Sequence, residues 1–439
     1  MLLRQLVDDD LGCACYLIGD EEAGEAVIVD PPYDVEPLLA EAERAGLRAT
    51  RVLETHTHAD HLSGHGRLAL EDGLSVCVHA AAEPEYPFEP LEDGEEIAVG
   101  SVRIRVLHTP GHRPEHCCFL AGDALLTGDS LFVGTVARPD LAVAAREGAE
   151  GLFHSLRRLT ELPDDVRVFP GHVAGSLCGT GMSAERFSTI GNERRFNPAL
   201  ALATVEQFVT DSASVSTPRP PNMERIVALN RGPFVGAPPP LEPVESPKEA
   251  TVLDVRPVDD FAAGHVPEAL NVPVSGSSFG TRAGFLLRSG EQVVLHASSP
   301  EEAEQAAGRL YAVGFLGQVD GYLLDPVSTE TIEPIGVEEL ERLLKKDAVL
   351  LIDVRDKEEH DAGYIPGSRH LPYRVLRATA GDLPTDRTIA TICESGARAG
   401  IAASVLVAAG LDARPVLHGG IHDWERRGHQ TVSFRRCGS

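Results

Sequence analysis

T-H-T-H-A-D-H-L-S-G, residues Thr55 to Gly64, follows directly on the apolar strand pattern R-V-L-E and crowds His56, His58, Asp60 and His61 into one strand-end loop. Three imidazoles and a carboxylate so close together are difficult to account for except by metal. A lone loop histidine is ordinarily solvated, and His65 and His79 are read in that way. The cluster is different because the same residue types recur, each at the end of an apolar strand: His112 in H-T-P-G-H, Asp129 in L-L-T-G-D-S-L-F and His172 in V-F-P-G-H.

Around these motifs, short β-branched runs such as Ala26 to Asp30 and Val102 to Leu107 alternate with helical patterns such as Glu36 to Ala45. That rhythm predicts a layered α/β domain over residues 1–210, with its loops at strand ends. Residues 211–249 contain T-P-R-P-P-N and A-P-P-P-L-E-P and read as an extended connector, since such a stretch cannot run through a sheet centre. Beyond it lies an internal repeat: T-V-L-D-V-R-P-V-D-D-F-A-A-G-H-V-P from Thr251 returns as V-L-L-I-D-V-R-D-K-E-E-H-D-A-G-Y-I-P from Val349. Repeats this far apart are duplicated domains, expected over 250–326 and 336–432.

The formal net charge of -28 excludes a nucleic-acid or anionic-membrane partner, because no basic surface is left to neutralise phosphates. No signal peptide or membrane span is legible, so the cytoplasm is the expected compartment. The 8 cysteines show no C-x-x-C pair and no dense framework, so most are expected to be reduced and buried.

In the last repeat the strand T-I-A-T-I runs into C-E-S-G-A-R-A, Cys393 to Ala399, which opens a helix. A thiolate at a helix N-terminus is stabilised by free backbone N–H groups and the dipole, and the same amides can hold an anionic persulfide or thiosulfate. Arg398 is expected to aim its guanidinium at sulfonate oxygens. The loop resembles that of the rhodaneses, which implies that Cys393 is a sulfur carrier. A cysteine phosphatase has one more residue between Cys and Arg. In the earlier repeat the Cys position falls on Ala297 and the Arg position on Glu302, so that copy is expected to be catalytically silent, with His296 structural.

The five N-terminal segments together resemble the metallo-β-lactamase superfamily, implying an αββα sandwich followed by two rhodanese-like α/β domains. The resemblance leaves two metal arrangements open. A binuclear zinc thioester hydrolase of the glyoxalase II type would use His56, His58, Asp60, His61, His112, Asp129 and His172 together on two zinc ions. A persulfide dioxygenase would hold one Fe(II) on His56, His112 and Asp129, leaving His58, Asp60, His61 and His172 as orienting groups. The run G-H-V-A-G-S-L-C-G-T-G-M-S, then I-G-N-E-R-R-F-N-P-A-L, is similar to dioxygenases fused to rhodaneses. It implies a low-molecular-weight thiol persulfide and dioxygen as substrates, thiosulfate or sulfite as further partners, and a homo-oligomer. Arg194 would then face the carboxylate of the thiol carrier. Glutathione-using relatives carry Tyr where this chain has Ala174, so the carrier stays open among glutathione, coenzyme A and bacillithiol. A non-enzymatic sulfide or persulfide sensor is the competing class.

Overall fold

The computed structural model describes residues 1–173, 177–178, 182–214, 218–325 and 329–434, without the side chains of 213 and 214. Two compact units emerge: Met1–Pro238 with Tyr311–Gly314, and Pro239–Leu310 with Phe315–Ser439.

The first unit is built on two six-stranded sheets. One runs in chain order from Leu2–Val7 through Ala14–Asp20, Glu25–Val29, Arg48–Leu53 and Ser75–His79 to Glu89–Leu91. The other runs from Glu96–Val99 through Val102–His108, Cys117–Ala121, Ala124–Gly128 and Arg167–Pro170 to Ser188–Thr189. Alternation places Tyr16, Ile18, Val27 and Leu53 of one sheet against Ile104, Val106, Phe119 and Leu126 of the other in a shared core. The opposite faces are also apolar and are covered by helices. Leu38 and Ala42 of helix Glu36–Arg44 pack on the first sheet. Leu152, Phe153 and Leu156 of helix Ala145–Leu159 pack on the second. The result is the expected αββα sandwich.

The stretch 211–249 is not extended throughout. Helix Met223–Arg231 lies within it, because M-E-R-I-V-A-L-N-R is a proline-free run between Pro221 and Pro233. This helix buries Ile226 and Asn230.

The second unit contains two four-stranded sheets, both entirely parallel and wound in the same order. Thr251–Asp254 is central in one and Val349–Asp353 in the other, each followed outward by the strand leading into a helix, Val293–His296 and Thr388–Ile392. Asp254 grips Arg256 and Asp353 grips Arg355 by the same bidentate pair, so the repeated D-V-R is a strand-end lock. No described helix is long and apolar enough to cross a membrane.

Candidate functional site

Both sheets of the first unit contribute to one buried polar centre. Strand Glu25–Val29 ends at Asp30, whose carboxylate accepts from the Thr55 amide at 2.7 Å and the Thr55 hydroxyl at 2.8 Å. The single hydroxyl proton of Thr55 is thereby used, so its Oγ1, 2.8 Å from His56 Nδ1, accepts from that nitrogen. His112 Nδ1 donates to the Arg138 carbonyl at 2.8 Å. Both imidazoles are fixed in the tautomer that leaves Nε2 with a lone pair.

Asp129 stands immediately after strand Ala124–Gly128. Its Oδ1 accepts from His172 Nδ1 at 2.7 Å, and its amide donates to His116 Nε2 at 3.0 Å. Burial raises the Asp129 carboxyl, but His172 outweighs it and holds the group well below the ordinary range. Burial and the neighbouring imidazoles lower His56, and burial lowers His112 against the pull of Asp129. Three buried atoms then have no hydrogen-bond partner among the described residues: His56 Nε2, His112 Nε2 and Asp129 Oδ2. Asp129 Oδ2 is 3.9 Å from the first nitrogen and 3.7 Å from the second, and the three residues offer donor atoms within 4.8 Å of one another. Unpaired polar atoms in a dry interior are costly, and a metal cation satisfies all three at once. The donor set fits such an ion.

The other predicted residues lie beside this triad in a chain of mutual bonds. His172 Nε2 is 3.0 Å from Asp60 Oδ2, and Asp60 Oδ1 is 3.2 Å from His61 Nδ1. His58 turns Nε2 to Glu54 at 3.2 Å and Asp30 at 3.4 Å, leaving its buried Nδ1 without a hydrogen-bond partner among the described residues. His58, Asp60 and His61 also offer donor atoms within 4.8 Å of one another, as do Asp60, His172 and Cys178. His65, expected to be solvated, is instead 4% exposed and bonds Glu54 at 2.9 Å, because it opens a helix packed against the sheet. His79 stacks on His108 with ring centroids 4.1 Å apart.

Arg194 is exposed and ion-paired. Its guanidinium is committed to Asp164 at 2.6 Å and to the Thr160 and Leu162 carbonyls, where helix Ala145–Leu159 ends. Cations are favoured at helix C-termini, which is sufficient reason for its presence there. In the same N-E-R-R-F-N-P run, Glu193 and Asn197 point inward. Glu193 accepts from the Gly134 amide and from Asn197, and Asn197 donates to the Thr135 carbonyl, bracing the loop that leads to Arg138 and so to His112. Ala174 lies outside the described residues.

Two further supports were not anticipated. His116, fully buried and lowered to about 3 by burial and by His112, accepts from the Asp129 amide. Its position at the end of H-T-P-G-H-R-P-E-H was the available signal. Asn230 donates to the His58 and His61 carbonyls at 3.0 and 2.9 Å and accepts from the Ser63 amide at 2.9 Å, pinning the histidine loop from 3 positions. Nothing local in the sequence marks it.

In the second unit, Cys393 sits 1% exposed between strand Thr388–Ile392 and helix Ala397–Ala408, and its sulfur accepts from the Gly396 amide at 3.1 Å. Gly396 adopts φ +102°, which favours glycine, and Gly420 presses so closely that a Cβ would lie 2.2 Å from the carbonyl oxygens of Cys393 and Glu394. The guanidinium of Arg398 is clamped by both oxygens of Glu359 at 2.5 and 2.6 Å. Helix Lys357–Ala362 places that carboxylate within reach, and burial makes the pairing obligatory. In the other repeat, Glu302 turns back to accept from the Ser298 amide at 2.5 Å while its own amide donates to Ser299. A carboxylate thus engages the loop amide beside Ala297, and no thiol is present there. His296 is buried, 2.9 Å from Asp254. The seven described cysteines are all buried, and none forms a disulfide with another.

The sequence matches the metallo-beta-lactamase superfamily over residues 8–172 and the rhodanese-like domain over 241–325 and 336–427. Persulfide dioxygenase ETHE1 of Homo sapiens is 30% identical over 235 residues, covering 52% of this chain and 87% of that protein. Hydroxyacylglutathione hydrolase of Maricaulis maris is 32% identical over 179 residues, covering 39% of this chain and 66% of that one. Among solved structures, a metallo-beta-lactamase from Staphylococcus aureus aligns with TM-score 0.68 at 29% identity, covering 74% of this chain and 98% of its own. The chain therefore belongs to the metallo-beta-lactamase superfamily as an enzyme of its persulfide dioxygenase family, joined to rhodanese-like domains.

Proposed function

We propose that the first unit oxidises a low-molecular-weight thiol persulfide with dioxygen, giving sulfite and the free thiol, at a single ferrous iron held by His56, His112 and Asp129. Cys393 exchanges sulfane sulfur among persulfide, thiosulfate and thiol as its own persulfide. The overall oxidation balances as RSSH + O2 + H2O → RSH + SO3²⁻ + 2H⁺, the outer sulfur supplying the four electrons that dioxygen accepts.

The observation that carries this proposal is the trio of buried atoms on two imidazoles and one carboxylate that have no hydrogen-bond partner among the described residues, a donor set of the type that would suit a non-haem ferrous iron. Bound there, ferrous iron supplies the redox change and the open positions that oxygen chemistry requires. The chain supplies orientation. The Arg138 carbonyl and the Thr55–Asp30 relay keep the two imidazoles neutral and aimed, while His172 occupies the second oxygen of Asp129.

A second arrangement draws support from His58 Nδ1, buried and without a hydrogen-bond partner among the described residues, and from the hydrolase relative: two zinc ions shared among the same histidines and acids, cleaving a thioester. Metal analysis of freshly purified protein separates the two. About one iron per chain is the expected result, and two zinc ions per chain would replace the dioxygenase with the hydrolase.

A further inference from the structure

Three guanidiniums close to the sulfur-carrier loop are each paired with a carboxylate. Arg398, in the loop, is held by Glu359; Arg374 pairs with Asp356; Arg355, at the neighbouring strand end, pairs with Asp353. The loop then adds an acid of its own. Glu394 follows Cys393 directly, is 44% exposed, and forms ion pairs among the described residues with the far edge of Arg355 at 3.5 Å and the exposed His422 at 3.4 Å. The residue expected to bind an anion is therefore neutralised, and the residue beside the nucleophile is negative.

We propose that Glu394 is a specificity-determining residue that biases Cys393 toward persulfides, whose reacting end carries at most one charge, and against thiosulfate, a compact dianion. The inference rests on the reading of Cys393 as the sulfur carrier. With a persulfide, the Cys393 thiolate attacks the outer sulfur, a new S–S bond forms, the old one breaks, and the thiolate RS⁻ leaves with the bonding pair: CysS⁻ + RSSH → CysSSH + RS⁻. With thiosulfate the leaving group is sulfite: CysS⁻ + SSO3²⁻ → CysSS⁻ + SO3²⁻. Both steps conserve charge, but the second brings two negative charges up to a loop that already carries one. At separations of several ångströms in a partly exposed site, one extra unit of like charge costs a factor of about three to ten.

The test compares kcat/KM for cysteine persulfide and for thiosulfate in the full-length enzyme and in Glu394→Gln and Glu394→Asp. Glu394→Gln should raise kcat/KM for thiosulfate about three- to tenfold and change that for cysteine persulfide less than about twofold. Added salt should accelerate thiosulfate transfer in the parent and in Glu394→Asp, and should lose most of that effect in Glu394→Gln. Equal changes for both donors, or no gain with thiosulfate, would overturn the inference. Absence of Cys393-dependent transfer from either donor in the parent enzyme would instead remove the sulfur-carrier reading itself.

Discussion

Asp129 Oδ1 lies 2.7 Å from His172 Nδ1, and Asp129 Oδ2 has no hydrogen-bond partner among the described residues. One carboxylate is thus divided into an anchored oxygen and a vacant one. The anchored oxygen sets the direction of the vacant one, toward His56 and His112 at 3.9 and 3.7 Å.

In the single-iron proposal His172 orients a ligand without being one. His172→Ala should keep iron at the triad but weaken it about 10- to 100-fold, read by titration of the apoprotein with ferrous iron. The two-zinc arrangement demands a different result, clean loss of one of two metals with the other still tightly held.

Asn230 is a support whose removal is measurable without any metal. Asn230→Ala leaves the His58 and His61 carbonyls and the Ser63 amide without their bonds in a buried site. Loss of about 2–4 kcal/mol in denaturant unfolding of the first unit is expected. A change under about 0.5 kcal/mol would mean that the loop holds its shape unaided.

In the proposed reading the two chemistries use separate residues. Cys393→Ser should abolish sulfur transfer while oxidation of a supplied persulfide continues at nearly the parent rate. If both activities disappear together in folded protein, the division of labour between the units is wrong.

Gly420 tests the loop by sterics alone. Its backbone is extended, so alanine costs nothing in conformation, yet the new Cβ would lie 2.2 Å from two carbonyl oxygens of the active loop. Gly420→Ala should displace Cys393 and reduce sulfur transfer at least about 10-fold, with oxygenase activity unchanged. Parent-level transfer would show that the loop is not held at this point.

Much of this was legible in residue order. Strand-end histidines and acids give a metal centre away because the chemistry requires several ligands of one type to converge, and the D-V-R repeat announces duplicated sheets. Asn230 was invisible because it works through backbone carbonyls from 169 and 172 positions away, and any stretch of helix presents asparagines equally. The protein partners of Arg194 and Arg398 were not legible, for a shared reason. A guanidinium takes the nearest acceptor, and Asp164 and Glu359 become neighbours only after folding. His65 looked like a surface residue until Glu54, a buried acid, supplied its partner.

Oxygen consumption by the iron-loaded enzyme, followed with sulfite release from a supplied persulfide, tests the central claim most directly. The expected result is about one dioxygen consumed for each sulfite formed, with uptake lost in His112→Ala. Sulfite release that proceeds equally fast under nitrogen would contradict it.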